Sequence, residues 1–295
     1  MKKVLITGAN SYIGVSFENY AKKRYNTELD IDTVDMIDGS WRQKDFTPYD
    51  IVYHVAGIAH ADVGNVSDEV KAKYYVINTD LAIETAKKAK ECGVRQFVFM
   101  SSAIVYGDSA PYGKTKMITR ETEPEPANFY GDSKWQADKG VRSLADDRFG
   151  VTVLRPPMIY GKGSKGNYRT LAGMAKKLPV FPDVPNERSM LYIENLCEFL
   201  CQVMIRGEEG IFWPQNAEYT KTSEMVRMVA AVSGHRISVC KAWNWIVALA
   251  SVIPGKPRGL ANKAFGSLCY DQNMSKYDFE YRIVDLKTSI ERTEG

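Results

Sequence analysis

Short apolar runs recur along the first half of the chain, and most of them stop at a glycine or a serine. The runs are VLITG at 4–8, IDTVDM at 31–36, DIVYHVAG at 50–57, RQFVFMSS at 95–102 and VTVLRPPMIYG at 151–161, the last cut by prolines. Nearly continuous apolar character is typical of parallel strands, because helices cover both faces of such a sheet. The pattern therefore predicts buried parallel strands.

Helical patterns separate these runs. We predict helices over 12–24, 76–93 and 129–147, with Gly93 placed to end the second. Strands that alternate with helices form parallel βαβ units, so the expected fold class is α/β with a doubly wound parallel sheet. We place no strand between residues 36 and 50.

The second half of the chain predicts a smaller α/β lobe of shorter elements. Residues 191–204 indicate a strand turning into a helix, 211–216 a strand and turn, and 222–234 a capped helix. No repeat or low-complexity linker separates the halves. We expect a sheet domain at 1–160, with returning elements at about 190–220, and a mainly substrate-binding lobe at 161–295 interleaved with it.

Composition excludes several classes of protein. The formal net charge is +3, which is too small to indicate nucleic-acid binding. The five cysteines form no CxxC pair, so we expect reduced thiols in a cytoplasmic protein and no metal site. No apolar core follows the first lysines and no run is long enough to span a bilayer, so we expect neither signal peptide nor membrane span.

A glycine turn follows the first strand in TGANSYIG at 7–14. A turn of this kind, opening a helix, lets backbone N–H groups approach a pyrophosphate. Ser11 stands where a G-x-x-G-x-x-G pattern has its central glycine, and a plain strand–helix turn is the alternative. The candidate cofactor-binding residues of this loop are Gly8, Asn10, Ser11, Tyr12, Ile13 and Gly14.

Asp35 lies near the end of the second strand. A carboxylate at this place accepts hydrogen bonds from ribose hydroxyls and disfavours a 2′-phosphate, which predicts NAD rather than NADP. The alternative is a surface aspartate in a stretch that also holds Asp30, Asp32 and Asp38.

Ser102, Tyr130 and Lys134 are the candidate catalytic residues. If 129–147 is helical, Tyr130 and Lys134 share one face, and the lysine ammonium is placed to lower the pKa of the tyrosine from its ordinary value of about 10. Ser102 follows a parallel strand and faces the crevice where such sheets bind ligands. A surface Y-x-x-x-K pair is the alternative, but the combination with a dinucleotide loop is more specific.

The motifs together resemble a known family. They are TGANSYIG (7–14), HVAG (54–57), Asn78, SSAIVYG (101–107), YGDSK (130–134), LRPPMIYG (154–161) and, more weakly, RSMLYIENL (188–196). The chain up to about residue 230 resembles the extended short-chain dehydrogenases/reductases, in their NAD-dependent epimerase/dehydratase branch of the UDP-galactose 4-epimerase-like, bacterial polysaccharide-biosynthesis type. The resemblance implies bound NAD and a homodimer.

The resemblance also implies roles for single residues. Cofactor contacts are implied for Lys134 and for Ala56, Gly57, Asn78, Ser101, Tyr130 and Pro157. Ser102, Tyr130, Asn167 and Arg188 are implied to bind substrate, with Arg188 on a diphosphate. A surface ion pair near Glu187 is the alternative for Arg188, and a flexible basic loop is the alternative for Asn167.

The choice within the family rests on position 102–104. Where sugar-nucleotide 4,6-dehydratases typically carry Thr-Asp-Glu, this chain has Ser102, Ala103 and Ile104, which argues against a dehydratase. The leading hypothesis is an NAD-dependent 4-epimerase of a UDP-hexose or UDP-N-acetylhexosamine, or of a lipid-diphosphate-linked sugar, acting through a 4-keto intermediate. The alternatives are an NAD(P)H-dependent keto-sugar-nucleotide reductase or dehydrogenase and a non-enzymatic NAD-binding regulator.

Residues 242–256 are apolar nearly all round. A core-packing helix is the favoured interpretation. The alternative is an interfacial patch, with Trp243 and Trp245 at lipid headgroups, which would hold the protein peripherally at the inner face of the membrane. Of the histidines, we expect His54 to be a packed core residue, while His60 lies in a loop that could approach substrate.

Overall fold

The computed structural model describes residues 1–59 and 66–295, apart from the side chain of Lys256. His60 lies outside the described residues. The strands are β1 (Lys2–Thr7), β2 (Leu29–Val34), β3 (Ile51–His54), β4 (Gln96–Met100), β5 (Thr115–Ile118), β6 (Gly150–Leu154), β7 (Met158–Tyr160), β8 (Val180–Pro182), β9 (Met190–Tyr192), β10 (Gly210–Phe212), β11 (Ser238–Cys240) and β12 (Ser267–Tyr270).

The helices are α1 (Tyr12–Arg24), α2 (Asp68–Tyr74), α3 (Leu81–Glu91), α4 (Phe129–Arg142), α5 (Asn167–Ala175), α6 (Ile193–Arg206), α7 (Thr222–Val232), α8 (Asn244–Val252), α9 (Lys256–Phe265) and α10 (Leu286–Glu294). A π-helical turn, Tyr75–Asp80, joins α2 to α3. Along the described ranges, no helix is both long and apolar enough to cross a membrane.

A six-stranded parallel sheet forms the centre of the fold, and it confirms the predicted doubly wound class. The strand order is β10-β6-β4-β3-β1-β2, with every neighbouring pair parallel. β2 pairs with one side of β1, and β3 pairs with the other side. The crevice beyond the carboxyl ends of β1 and β3 is therefore the topological switch point, where open α/β sheets bind ligands.

The inner strands β3, β4 and β6 are buried along their whole length because both faces of the sheet are covered. In β1, Val4 and Ile6 belong to a core cluster with Phe17 of α1 and Leu196 of α6. Leu5, between them, belongs to a second cluster with residues of α3 and α4. Successive strand residues point to opposite faces, so each face receives its own core.

The stretch between β2 and β3 contains no strand, as the pattern indicated. Residues 35–50 instead hold a short 3₁₀ turn, Ser40–Arg42, and they bury Trp41 and Phe46 in the second core cluster. β2 is therefore the edge of the sheet.

Proline and turn chemistry reshape three predicted elements. The run 151–161 divides at two prolines, so that β6 lies in the main sheet and β7 pairs with β9 in a separate two-stranded sheet. The predicted helix 129–147 ends at Arg142, and the carboxylate of Asp146 caps a turn beyond it. The helix at 222–234 lacks the expected side-chain cap, because the Thr222 hydroxyl donates to the carbonyl of Ala264 instead.

Chain segments of the second half return to the sheet. β10 pairs with β6, and α6 packs against α1. The division into a sheet domain and a smaller lobe stays a prediction. The favoured interpretation of 242–256 as a core-packing helix is wrong, because Val247 is the buried residue of α8 and most of its large apolar side chains are exposed.

Candidate active site

The loop after β1 lies against the loop after β3. Gly8 has φ +97°, and a Cβ at this residue would lie 2.8 Å from both the backbone nitrogen and the Cα of Ala56. A side chain at position 8 is therefore excluded both by conformation and by space. Asn10 also adopts a left-handed conformation, with φ 67°. The loop therefore lies close to the backbone at the switch point of the sheet.

Ser11 begins α1. Its hydroxyl accepts a hydrogen bond from the backbone nitrogen of Gly14 at 3.1 Å, so it serves as the N-cap. A Cβ on Gly14 would lie 2.7 Å from this hydroxyl, which explains the second glycine. The first turn of α1 holds no acidic residue. The positive end of the helix dipole therefore remains available to an anion.

Tyr12 and Ile13 occupy the first turn of α1. Ile13 packs against the first core cluster. The hydroxyl of Tyr12 is buried and has no hydrogen-bond partner among the described residues, and burial raises its pKa. A Cβ on Gly161 would lie 2.7 Å from that hydroxyl, so the loop after β7 closes on the start of α1.

Asp35 directly follows β2 and is half-buried. One carboxylate oxygen accepts from the backbone nitrogen of Ile37 at 2.8 Å. The neighbouring acids are engaged elsewhere: Asp32 pairs with Lys44 at 2.8 Å, and Asp38 accepts from Ser40. Asp35 is in no ion pair across the described part of the chain, so its carboxylate is available to accept hydrogen bonds from ligand hydroxyls.

Gly57, Asn78 and Lys134 meet beyond β3. The amide of Asn78, in the π-helical turn, accepts from the backbone nitrogen of Ile58 at 2.9 Å and donates to the Ser133 hydroxyl at 3.1 Å. A Cβ on Gly57 would lie 2.9 Å from Asn78 Oδ1 and 3.2 Å from Lys134 Nζ. The glycine therefore keeps space open above the lysine. π-Helical turns often occur at functional sites.

Ser102 and Tyr130 face each other across this crevice. Ser102 caps the short 3₁₀ helix Ala103–Tyr106, and Tyr130 lies in the first turn of α4, whose N-cap is Asn128. The two elements pack closely, since a Cβ on Gly131 would lie 2.9 Å from the carbonyl of Ile104. The Ser102 side chain interacts with Tyr130 and lowers its pKa.

Burial dominates the electrostatics of the tyrosine and the lysine. It raises the pKa of Tyr130 to about 12 and lowers the pKa of Lys134 to about 8. The lysine ammonium donates to the carbonyl of Met100 at 3.1 Å. The expected lowering of the tyrosine pKa by the lysine is absent from the protein alone. A phenolate at Tyr130 therefore needs further positive charge in the crevice.

A buried ionic network that the sequence analysis did not predict supports the strands beneath these residues. Arg155 makes a two-pronged pair with Asp138, with both nitrogen–oxygen distances 2.9 Å. Ser101 donates to the same carboxylate at 3.0 Å, and Arg155 donates to the Tyr106 hydroxyl at 2.7 Å. Asp138 lies four residues after Lys134, so its position on one helix face was the available signal.

His54 is the packed core residue that we expected. It is fully buried, its Nδ1 lies 2.8 Å from the Thr7 hydroxyl, and its ring stacks against Phe97 and Phe99. Burial, with a smaller contribution from Lys134, lowers its pKa to about 3. The imidazole is therefore neutral and helps to hold β3 against β4.

Arg188 projects beside the segment that follows Ser102. Its guanidinium donates to the Ser109 hydroxyl at 2.8 Å and to the carbonyl of Lys263 at 2.6 Å. It forms no ion pair with any residue that the structure describes, so the ion-pair alternative near Glu187 is wrong. An arginine held by neutral partners retains its charge for an incoming anion.

Two predicted residues lie less centrally. Pro157 is buried between β6 and β7, where the carbonyl of Pro156 accepts from the Ala103 nitrogen at 2.9 Å. Asn167 is the exposed first residue of α5. Contacts within the described residues do not join Asn167 to Ser102 or Tyr130, so its substrate role stays a prediction.

Comparisons with known proteins agree with this geometry. Residues 4–212 match the model of the NAD dependent epimerase/dehydratase family. The chain is 32% identical over 190 residues to a UDP-glucose 4-epimerase of Vibrio cholerae, covering 61% of this chain and 56% of that protein.

A second curated relative is the N-acetyl-alpha-D-glucosaminyl-diphospho-ditrans,octacis-undecaprenol 4-epimerase of Escherichia coli O157:H7. It is 28% identical over 214 residues, which cover 67% of this chain and 61% of that protein. The chain thus spans somewhat over half the length of these relatives. Among solved structures, a dTDP-4-dehydrorhamnose reductase from Bacillus anthracis in complex with NADP superposes with a TM-score of 0.72 at 19% identity, covering 99% and 98% of the chains. This last likeness shows the fold alone.

Proposed function

The chain belongs to the NAD-dependent epimerase/dehydratase family, and we propose that within it the chain is a sugar 4-epimerase. Family membership confirms the predicted NAD cofactor. The substrate we propose is a hexose or N-acetylhexosamine on a diphosphate, carried by uridine or by a lipid, as in the two curated relatives.

One observation carries the proposal: the elements that hold Ser102, Tyr130 and Lys134 pack together at the carboxyl ends of β3 and β4. The Ser102 side chain lies close enough to Tyr130 to lower its pKa, and the nitrogen of Lys134 lies beside Gly57, which has no side chain to cover it. Tyr130 would take the proton of the sugar 4-hydroxyl, and Ser102 would hold the same oxygen by a hydrogen bond. Lys134, which lies four residues after Tyr130 on α4, would orient the ribose of the cofactor.

The chain's own residues fit the cofactor. The backbones of Gly8 and Ala56 approach each other closely, so no side chain at position 8 fills the space above them. The first turn of α1 holds no acidic residue to offset the helix dipole, and Asp35 is in no ion pair within the described ranges. These features would hold pyrophosphate and adenosine ribose. When bound, NAD supplies a hydride acceptor and a positive nicotinamide ring. Asp35 would disfavour a 2′-phosphate, which favours NAD over NADP.

The site lacks the acid and base that a dehydratase needs next to its serine. Ala103 and Ile104 carry no titratable group, and both belong to the 3₁₀ helix that faces α4. Arg188, which has no ion-pair partner in the described chain, would hold the diphosphate of the substrate. The proton of one hydroxyl is then the only proton that the side chains here need to move.

A keto-sugar reductase is the second candidate, because it would use the same three residues once and in one direction. The likeness to a reductase structure favours neither reading, since it shows only the fold. The two functions differ in whether the cofactor is kept. An epimerase regenerates its NAD in each cycle, whereas a reductase exchanges it.

The first experiment releases nucleotide from the purified protein by denaturation and measures its identity and stoichiometry. Near-equimolar NAD, together with interconversion of UDP-glucose and UDP-galactose or their N-acetylated forms, would support the epimerase. An empty protein that consumes NADH or NADPH only in the presence of a keto-sugar would overturn it in favour of the reductase.

A matched pair of variants tests the residues. Tyr130→Phe removes only the hydroxyl, so we expect retained fold and NAD with turnover lowered at least about a hundredfold, the usual contribution of a positioned acid–base group. Tyr49→Phe is the control, because Tyr49 precedes the amino end of β3, opposite the crevice, and it should keep full activity. Full activity of Tyr130→Phe would contradict the mechanism. The homodimer that the resemblance implies stays a prediction for sedimentation analysis.

A further inference from the structure

Helices α8 and α9 present an unusual amount of apolar surface. Trp245 is 62% exposed, Val252 63% and Leu260 67%. Together with four neighbours these side chains form what we term the α8–α9 apolar surface: Trp243, Trp245, Ile246, Leu249, Val252, Ile253 and Leu260. Scattered exposed apolar residues are ordinary, but a contiguous group marks an interaction surface.

The inner face of α8 is already packed, so the exposed face is free. Val247 is buried, and Asn244 donates to the carbonyl of Asp183 at 2.9 Å. On the opposite face, Trp245, Leu249 and Val252 follow one another at helical spacing. One side of α8 therefore packs against the protein, and the opposite apolar side is exposed.

Charge identifies the kind of partner. Residues 225–270 contain no aspartate or glutamate, but they contain six basic residues: Arg227, Arg236, Lys241, Lys256, Arg258 and Lys263. Lys241, Arg258 and Lys263 are exposed beside the α8–α9 apolar surface. Tryptophans and cations around an exposed apolar helix are the features of a segment that lies in the interface of an anionic bilayer.

We propose that the α8–α9 apolar surface docks the protein on the surface of an anionic lipid bilayer. α8 would lie in the headgroup region with its outer side chains among acyl chains, and the flanking cations would contact lipid phosphates. Neither helix needs to cross the membrane.

The docking surface adjoins the candidate active site. Lys263 of α9 accepts a hydrogen bond from Arg188 at 2.6 Å, and Asn262 accepts from the backbone nitrogen of Tyr112 at 3.3 Å. A diphosphate held by Arg188 would therefore lie next to the helices that touch lipid. If the proposed function is correct, this places a lipid-linked sugar diphosphate, rather than a purely soluble carrier, within the reach of the site.

Vesicle co-sedimentation tests the docking with the full chain. We expect binding to vesicles of phosphatidylglycerol and phosphatidylethanolamine and much weaker binding to phosphatidylcholine alone. Each cation at an anionic surface raises partitioning about fivefold, so Lys241→Glu with Arg258→Glu should lower it at least roughly 25-fold. The matched control is Lys23→Glu with Lys87→Glu, two exposed lysines on α1 and α3, and should bind like wild type.

A second pair of variants tests the apolar contribution. Trp245→Ser with Leu249→Ser should abolish binding, whereas Met174→Ser with Val232→Ser, at exposed apolar sites elsewhere, should not. Quenching of wild-type fluorescence by brominated lipid gives an independent readout, because Trp41 and Trp213 are buried while Trp243 and Trp245 are exposed. It also guards against variants that do not fold.

The outcomes separate the inference from the proposed function. Wild-type protein that neither sediments with anionic vesicles nor is quenched would overturn the docking. A second result would also overturn the docking: the wild-type protein does not bind vesicles but associates with itself as its concentration rises, and Trp245→Ser with Leu249→Ser removes that association. This result would assign the surface to a second copy of the chain. Vesicle binding without any sugar epimerisation would leave the docking in place and reject the function.

Discussion

Lys134 is a buried cation, and its replacement by methionine should stabilise the nucleotide-free protein while abolishing turnover. The side chain is 7% exposed, and burial lowers its pKa from 10.5 to about 8. The unfolded chain therefore binds the proton more tightly than the folded one, and at pH 7 the folded state bears a cost of about 3 kcal/mol. Methionine fills similar space without the charge.

The sign of the pH dependence follows from the same pKa. Between pH 8 and 10.5 the unfolded chain holds more protons than the folded chain, so wild-type stability rises with pH across this window. The advantage of Lys134→Met should accordingly shrink from about 3 kcal/mol at pH 7 to about 1.4 kcal/mol at pH 9.5. Loss of the hydrogen bond to Met100 would reduce both figures by about 1 kcal/mol.

Urea denaturation at the two pH values measures both quantities after NAD has been removed. Lys139→Met is the matched control, because Lys139 lies on the same helix but is exposed, with its ammonium 5.3 Å from the ring centroid of Trp135. Its effect should stay within about 0.5 kcal/mol at either pH. A Lys134→Met protein that is less stable than wild type, or whose difference does not change with pH, would refute the reasoning.

Three further substitutions test separate parts of the site. Asp35→Ala should weaken NAD binding about tenfold and reduce the preference for NAD over NADP, because charge-assisted hydrogen bonds to the ribose are lost. Calorimetric titration with both nucleotides measures this, and Asp30→Ala, the control, should leave both affinities unchanged. Arg188→Met should raise KM for the sugar diphosphate about tenfold or more with little change in kcat; an unchanged KM would remove the arginine from the substrate site. Asp138→Ala should lower the free energy of unfolding by about 3–5 kcal/mol, because it leaves Arg155 buried without its partner; a loss below about 1 kcal/mol in urea titration would contradict this.

The pattern of apolar runs was sufficient for the sheet because parallel strands bury both faces. The residues that end those strands could also be placed, since carboxyl ends of parallel strands meet at one edge. Gly8, Ala56 and Ser102 follow three different strands, and Gly8 contacts Ala56 directly. Tyr130 and Lys134 do lie four residues apart on α4, as the pattern predicted, and their joint role in catalysis stays a prediction.

Long-range pairing of polar side chains could not be predicted in this way. Asp138 lies on α4 and Arg155 directly follows β6. No feature of the neighbouring sequence distinguishes such a buried pair from two charges on the surface. The exposure of α8 was mispredicted because a helix that is apolar all round is ordinarily enclosed, and only tertiary contacts reveal that α9 and the lobe cover one side of it.

The opposite pKa shifts of Tyr130 and Lys134 have one cause, and they determine how the site must work. Burial disfavours the charged form of each group, so the protein alone keeps Tyr130 protonated and weakens the hold of Lys134 on its proton. His54, neutral for the same reason, adds no charge. At neutral pH Lys134 still carries its proton, but its charge does not bring the pKa of Tyr130 below the ordinary value, so a phenolate requires further positive charge. Proton transfer by Tyr130 is therefore coupled to what the crevice binds, and a chain with an empty site has little acid–base reactivity.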